Sequence, residues 1–138
     1  MHTTARTPLL SLALRIFGLI FIFGIVILNR IWPAGWAWQP EQPAYLRMIL
    51  SIYIVLGVFL WRAAANPAAN LSLIWFTVWS SLAHAAVMAY HSFTDPGQMG
   101  HLWGDVAGLV LVAVVLTVLV RRELPAPGRA ELRTAMAG

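Results

Sequence analysis

The chain has 138 residues, of which 60% are hydrophobic and only 10% charged, and its formal net charge is +4. A soluble domain of this size carries about a quarter charged residues, so this balance argues against a soluble protein and for a membrane protein. Cys is absent, which excludes disulfides and cysteine chemistry, and the arginines form no patch with interleaved aromatic residues, which argues against a nucleic-acid partner.

Four apolar segments are long enough to span a bilayer, which takes about 20 residues of α-helix. In chain order they cover residues 8–31, 45–64, 70–90 and 102–120. Short runs that contain Pro, Gly, Asn or Asp separate them, as is typical of tight connections. We therefore predict an all-α, integral membrane, antiparallel four-helix transmembrane bundle in one domain, residues 1–124, followed by a disordered cytoplasmic tail, residues 125–138.

The arginines predict the orientation of this bundle. Four spans place both termini on one side of the membrane, and that side holds every arginine except Arg30 and Arg47. Because basic residues concentrate in cytoplasmic segments, we expect cytoplasmic termini, with the lipid bilayer as a partner. Arg15 interrupts the first apolar segment, so we interpret that segment as an uncleaved helix whose arginine extends to the near interface.

The first outer connection is rich in Trp. Trp and Tyr gather at membrane–water boundaries, so an interfacial anchor is the simpler interpretation, and a lid that stacks on a ligand is the alternative. The residues concerned are Trp32, Trp36, Trp38 and Tyr45.

A polar stripe distinguishes the third segment. Its members recur at spacings of three, four and seven residues, which places them on one face of a helix. A polar face is costly in lipid, so we expect it to turn into the bundle. The stripe consists of Thr77, Ser80, Ser81, His84, Met88 and His91.

The fourth segment supplies the predicted partner of this stripe. His101 and Asp105 are four residues apart and therefore share a helix face. A series of small residues, whose first member lies in the connection just before this segment, would let two helix backbones approach closely in lipid. That series is Gly100, Gly104 and Gly108.

Counting in antiparallel register from the outer connection predicts the depth of these groups. His84 then lies about 10 Å below the outer end of the bundle, with Asp105 roughly one turn above it. A hydrogen bond between His84 and Asp105 fits this geometry. The structural alternatives are a buried His84 bonded to Ser80 or to a carbonyl group, and an Asp105 placed to suit the helix dipole.

Several ligands suit such a group of residues in the outer leaflet. Imidazole and carboxylate can ligate a divalent metal, and His can also relay protons near neutral pH. A quinone, or another lipid-soluble ligand with a carbonyl group, would find hydrogen-bond donors in an apolar cleft. A haem between two histidines needs both at matched depth, which only His91 and His101 satisfy, and that pair lies close to water, which disfavours a haem there. The candidate ligand-binding residues are His84, Asp105, Ser81, Ser80 and Met88, and the candidate metal ligands are His84, His91, His101 and Asp105.

Three stretches of the chain carry a resemblance to known proteins. Residues 31–40, 72–84 and 100–105 resemble a group of short four-helix bacterial membrane proteins with a domain of unknown function. The resemblance extends to about Arg122 and implies the fold and a bacterial inner membrane, without implying a chemistry. In architecture alone the chain also resembles DoxX-like four-helix proteins, some of which accompany redox enzymes.

Three functional hypotheses follow. The leading one is a binding protein with an outer-leaflet site for a lipid-soluble ligand or a metal, in a redox setting. The second is a structural or accessory subunit of a membrane complex, or a homo-oligomer, without its own cofactor. In the second case the Trp-rich connection and the glycine face of the fourth segment would contact the partner. The third is an enzyme that uses the His and Asp residues for acid–base chemistry on a lipid.

Overall fold

The computed structural model of the protein describes residues 7–37 and 43–124. These residues form helices and connections without any strand, and four helices are long and apolar enough to cross a membrane. The predicted all-α four-helix bundle is thereby confirmed. The predicted tail over residues 125–138 lies outside the described residues. The four spans, named first to fourth below, are Pro8–Ile31, Ala44–Ala63, Pro67–Thr94 and Leu102–Glu123.

Two of the spans contain a turn of π-helix. In the first span, the turn Ile20–Gly24 separates the α-helices Pro8–Leu19 and Ile25–Ile31. In the fourth, the turn Leu102–Val106 precedes the α-helix Ala107–Glu123. Such turns re-aim side chains and are frequent at functional sites. Phe21 and Asp105, which belong to these two turns, both reach the site described below.

The other two spans are regular. The second belongs to the helix Pro43–Ala63, and the third consists of the 3-10 turn Pro67–Asn70 and the helix Leu71–Thr94. The third helix extends beyond the predicted end at residue 90. Its last turn is supported by the Thr94 hydroxyl, which donates to the backbone oxygen of Tyr90 at 3.1 Å.

Glycines bring the first and second spans into backbone contact. A Cβ atom on Gly57 would lie 2.6 Å from the backbone oxygen of Gly18, and one on Gly18 would lie 2.9 Å from that of Gly57. No side chain fits between the two backbones, so these glycines allow the close packing that small residues permit between helices in lipid.

At the end of the bundle that carries the termini, a carboxylate joins the first and fourth spans. Glu123 accepts hydrogen bonds from the backbone N–H groups of Leu9, at 3.1 Å, and Leu10, at 3.0 Å. Thr7, at the N-cap position, forms no side-chain cap of its own. The carboxylate therefore satisfies free N–H groups of the first turn and also complements the helix dipole.

The apolar core lies toward this end and is built from the first, third and fourth spans with the last turns of the second. Its most deeply buried side chains are Leu10, Leu14, Leu60, Ile74 and Leu116. The first span packs closely on the second and the third closely on the fourth, whereas the second and third make few contacts with each other. The gap between the second and third spans is where the candidate site lies.

Candidate functional site

A cavity of about 290 Å³ lies at the end of the bundle opposite the termini, called the distal end below. Its walls come mainly from the second and third spans, and its inner side comes from the first and fourth spans and the connection after the first. Most of the lining is apolar, which suits a lipid-soluble molecule. The lining residues are Ile25, Trp36, Tyr45, Leu46, Ile49, Leu50, Tyr53, His84, Val87, Met88, His91, Asp105 and Leu109.

Tyr53 and His84 form the principal polar contact in this cavity. The Tyr53 hydroxyl lies 3.2 Å from Nδ1 of His84, which is hydrogen-bonding distance, and the two rings meet edge to face at 5.8 Å. Phe21 packs edge to face on the other side of the Tyr53 ring at 5.2 Å. Tyr53 is thus held between an aromatic ring of the first span and an imidazole of the third.

Tyr53 is the residue that sequence reasoning missed. Tyrosines concentrate at membrane interfaces, whereas Tyr53 lies in the middle of the second span. A phenol at that depth needs a hydrogen-bond partner, and this signal was present in the sequence. What no pattern within one segment could reveal is that the partner is His84.

His101 and Asp105 form a second polar pair, at the start of the fourth span. Nδ1 of His101 lies 3.0 Å from Oδ2 of Asp105, and both residues are buried. Their spacing of four residues predicted a shared face, and the structure shows one. Asp105 lines the cavity, while His101 lies outside it. The imidazole therefore acts as a buried support that orients the carboxylate.

The predicted hydrogen bond between His84 and Asp105 is replaced by these two pairs. His84 bonds to the second span and Asp105 to its own helix. The two residues nevertheless line one cavity, and the Asp105 carboxylate interacts electrostatically with both His84 and Tyr53. The third and fourth spans thus meet at the site as predicted, although through different partners.

The polar stripe of the third span divides between two neighbouring faces. Thr77 and Ser81 are buried in the bundle, outside the cavity, and the Thr77 hydroxyl bonds to its own helix at the Leu73 carbonyl, 2.9 Å away. Ser80 is also outside the cavity and donates to the Thr77 carbonyl at 3.3 Å. Of the predicted ligand-binding residues, His84, Met88 and Asp105 therefore line the cavity, and Ser80 and Ser81 do not.

The four predicted metal ligands are not assembled into one site. Among the described residues, no three His, Asp, Glu or Cys side chains form a group that could hold a metal ion. His84, His91 and Asp105 line the cavity, whereas His101 does not line it and bonds to Asp105. Of the pair considered for a haem, His91 is exposed on the cavity wall, whereas His101 is 1% exposed and does not line the cavity.

The short helix Pro33–Trp36 follows the first span and ends beside the cavity. Trp36 contributes its ring to the lining, and its backbone oxygen accepts a hydrogen bond from the Asn29 side chain at 3.1 Å. Trp36 therefore borders the cavity, and the choice between an anchor and a lid stays a prediction. Trp32 instead packs on Gly35 and remains partly exposed, and Trp38 lies outside the described residues.

The glycine series of the fourth span receives this short helix. A Cβ atom on Gly100 would lie 2.5 Å from the Ala34 backbone oxygen, and one on Gly104 would overlap the Gly35 backbone oxygen. The series was predicted to let two helix backbones approach, and it does so, but the neighbour is the connection helix. The turn Leu102–Val106 thus carries both Asp105 and Gly104, against which the short helix packs.

Comparison with known proteins gives a family match. A family of unknown function, DUF6632, matches residues 4–133, which is consistent with the resemblance to uncharacterised four-helix membrane proteins. No curated protein and no solved structure matches the chain. The architectural resemblance to DoxX-like proteins is not shown by these comparisons.

Proposed function

We propose that the chain, which belongs to the family of unknown function DUF6632, binds a lipid-soluble small molecule in the cavity between its second and third spans. The observation that carries this proposal is the Tyr53–His84 pair, which places hydrogen-bonding groups inside a largely apolar cavity. An apolar pocket with a few convergent polar groups is the usual form of a small-molecule site.

The polar pair sets the chemistry of the ligand. If Tyr53 donates to Nδ1 of His84, then Nε2 carries the imidazole proton and can donate to a ligand. If Nδ1 donates instead, the Tyr53 hydroxyl keeps its proton for the ligand. In either tautomer the pair offers one donor, so it suits a ligand with a carbonyl or ether oxygen. A quinone head group meets this requirement and would connect the site to redox chemistry.

The route into the cavity follows from the loose contact between the second and third spans. Ile49 is 41% exposed and Val87 is 57% exposed, and both line the cavity, so it borders the outer surface of the bundle between these spans. An apolar tail on the ligand can remain in the bilayer while the polar head reaches Tyr53 and His84. The distribution of arginines favours cytoplasmic termini in a bacterial inner membrane, which would put this site in the outer leaflet.

The alternative of an accessory subunit without a ligand depended partly on the glycine face of the fourth span. That face is covered by the short helix of the same chain, at Ala34, Gly35 and Trp36. A second protein could therefore contact this face only if the short helix moved away from it. This intramolecular contact favours the binding function over the accessory one.

The test measures binding of decylubiquinone to the purified protein in nanodiscs. Quenching of Trp fluorescence reports the binding. Trp36 lies in the cavity wall, so we expect saturable quenching. The variant His84→Ala should weaken binding roughly tenfold, because the site loses either the imidazole donor to the ligand or the partner that orients the Tyr53 hydroxyl toward it.

The matched control is Ser80→Ala, on the same helix but outside the cavity. It should bind decylubiquinone like the unmodified protein. Equal binding by the His84→Ala variant, or quenching that never saturates, would remove the proposed quinone site.

A further inference from the structure

A second cleft lies at the end of the bundle that carries the termini. It has a volume of about 520 Å³ and is lined by Arg15, Trp61, Arg62 and Ala65. Both arginines are exposed, and the guanidinium carbon of Arg15 lies 5.9 Å from the centre of the Trp61 ring. This cleft is separate from the distal cavity and shares no residue with it.

The glycine contact between the first two spans builds this cleft. Arg15 lies three residues before Gly18, and Trp61 lies four residues after Gly57, so each is one helical turn from the contact, toward the terminal end. Because the backbones touch at the glycines, the side chains one turn away must face each other across a narrow gap. The cation–π geometry of Arg15 and Trp61 is the result.

The cleft carries positive charge that the described residues do not neutralise. No carboxylate of the described residues lines it, and neither Arg15 nor Arg62 forms an ion pair with a described acidic residue. The acidic residue described at this end, Glu123, instead accepts hydrogen bonds from Leu9 and Leu10. Two guanidinium groups and one indole ring are therefore directed to a common space.

The depth of Arg15 and Arg62 in the membrane indicates which ligand the cleft can bind. Arg15 lies about 10 Å along the first helix from Pro8, within the apolar run, whereas Arg62 is next to the last residue of the second span. A charge at the Arg15 level is costly next to acyl chains unless an anion accompanies it. The level where Trp and Arg meet lipid is that of the head groups, and phosphate is the anion present there.

We propose that this cleft binds the phosphate group of an anionic phospholipid. Arg15 and Arg62 donate to the phosphate oxygens, and guanidinium groups suit this geometry because they present two parallel N–H donors. Trp61 holds Arg15 in place and covers the first carbons of the lipid. The site would fix one lipid at the terminal end of the first two spans.

The experiment compares retained lipid by native mass spectrometry of the intact protein. The protein is released from nanodiscs of phosphatidylglycerol or of phosphatidylcholine. We expect a one-lipid adduct with phosphatidylglycerol and much less with phosphatidylcholine, because its choline group is repelled by the second arginine. The double variant Arg15→Gln/Arg62→Gln should reduce the phosphatidylglycerol adduct by roughly fivefold for each arginine.

The matched control is Arg121→Gln, an exposed arginine at the same end that does not line the cleft. It should retain the lipid at the level of the unmodified protein. If it loses as much as the double variant, or if the double variant retains phosphatidylglycerol fully, the proposal is overturned. The single variant Arg62→Gln, at an exposed helix end, provides the same comparison where the double variant does not fold.

Addition of inorganic phosphate distinguishes a phospholipid from free phosphate as the ligand of this cleft. Displacement of the lipid adduct by millimolar phosphate would support a site that accepts the phosphate group from either source. An adduct that resists phosphate would support the phospholipid as the ligand. Equal retention of both lipids by the unmodified protein would overturn the proposal of an anionic phospholipid, because phosphatidylcholine carries the same phosphate group and lacks only the net negative charge.

Discussion

Tyr53 and His84 are 31 residues apart in the chain and lie on different spans, yet the Tyr53 hydroxyl is 3.2 Å from Nδ1 of His84. Between the second and third spans, which otherwise contact each other little, this is the principal polar link. It joins the two walls of the distal cavity across the gap where a ligand would enter.

Replacing Tyr53 with Phe should therefore destabilise the protein by about 1 kcal/mol, the net value of a typical hydrogen bond in a partly buried position. Thermal unfolding in detergent measures the change. Tyr90→Phe is the control, since Tyr90 is 66% exposed and lies outside the cavity, and it should leave the melting temperature unchanged. Equal melting temperatures for both variants would show that the link contributes nothing.

Gly104 should be the glycine of the fourth span least tolerant of substitution. Its Cβ would overlap the backbone oxygen of Gly35, which cannot move without the short helix. Gly104→Ala should cost about 1–3 kcal/mol, as overpacking does, and should also weaken decylubiquinone binding because Trp36 is displaced.

Gly97→Ala is the matched control for that change. A Cβ on Gly97 would meet only a side-chain oxygen of Asp95, at 3.2 Å, in an exposed turn. We expect stability within about 0.5 kcal/mol of the unmodified protein. A Gly104→Ala variant as stable as this control would contradict the close contact between Gly104 and the short helix.

Glu123, at the end of the fourth span, should stabilise the first turn of the first span. Glu123→Ala removes the acceptor of two backbone N–H groups and a charge suited to the helix dipole, so we expect a loss of about 1–2 kcal/mol. Hydrogen exchange of the Leu9 and Leu10 amides should rise in parallel. Arg122→Ala, at the exposed neighbouring position, should leave both measurements unchanged. Unaltered exchange in the Glu123 variant would contradict the hydrogen bonds from these two amides to Glu123.

The proposed orientation can be tested directly because the chain has no Cys. A Cys introduced at Gln98, in the distal connection, should react with an impermeant maleimide added to intact cells. A Cys at Ala65, in the connection at the terminal end, should react only after the cells are opened. The reverse pattern would place the distal cavity in the inner leaflet.

The helices were predictable because a membrane span depends on the length and apolar character of one continuous segment. The first span begins and ends where predicted, whereas the third continues from residue 90 to Thr94. That extension depends on hydroxyl groups such as that of Thr94, which bond to their own helix. Composition marks such residues as polar and as suited to a connection, so the sequence alone placed the helix end too early.

The candidate site was predictable only in part. Helical periodicity placed His84, Met88 and His91 on one face, and the spacing of His101 and Asp105 gave the second pair. Periodicity also grouped Ser80 and Ser81 with them, because it cannot separate a face buried against the fourth span from the adjacent face that lines the cavity. Among the described residues no metal-binding group forms, and His101 bonds to Asp105 instead of lining the cavity.

The sequence by itself determined that four apolar helices form and which face of the third is polar, since these properties belong to single segments. Only the tertiary structure decided that Tyr53 is the partner of His84, that the glycines of the fourth span receive the Trp36 helix, and that Arg15 faces Trp61. Each of these relationships depends on how two helices are rotated and shifted against each other. That arrangement follows from side-chain packing across the whole bundle, and no pattern within one helix encodes it.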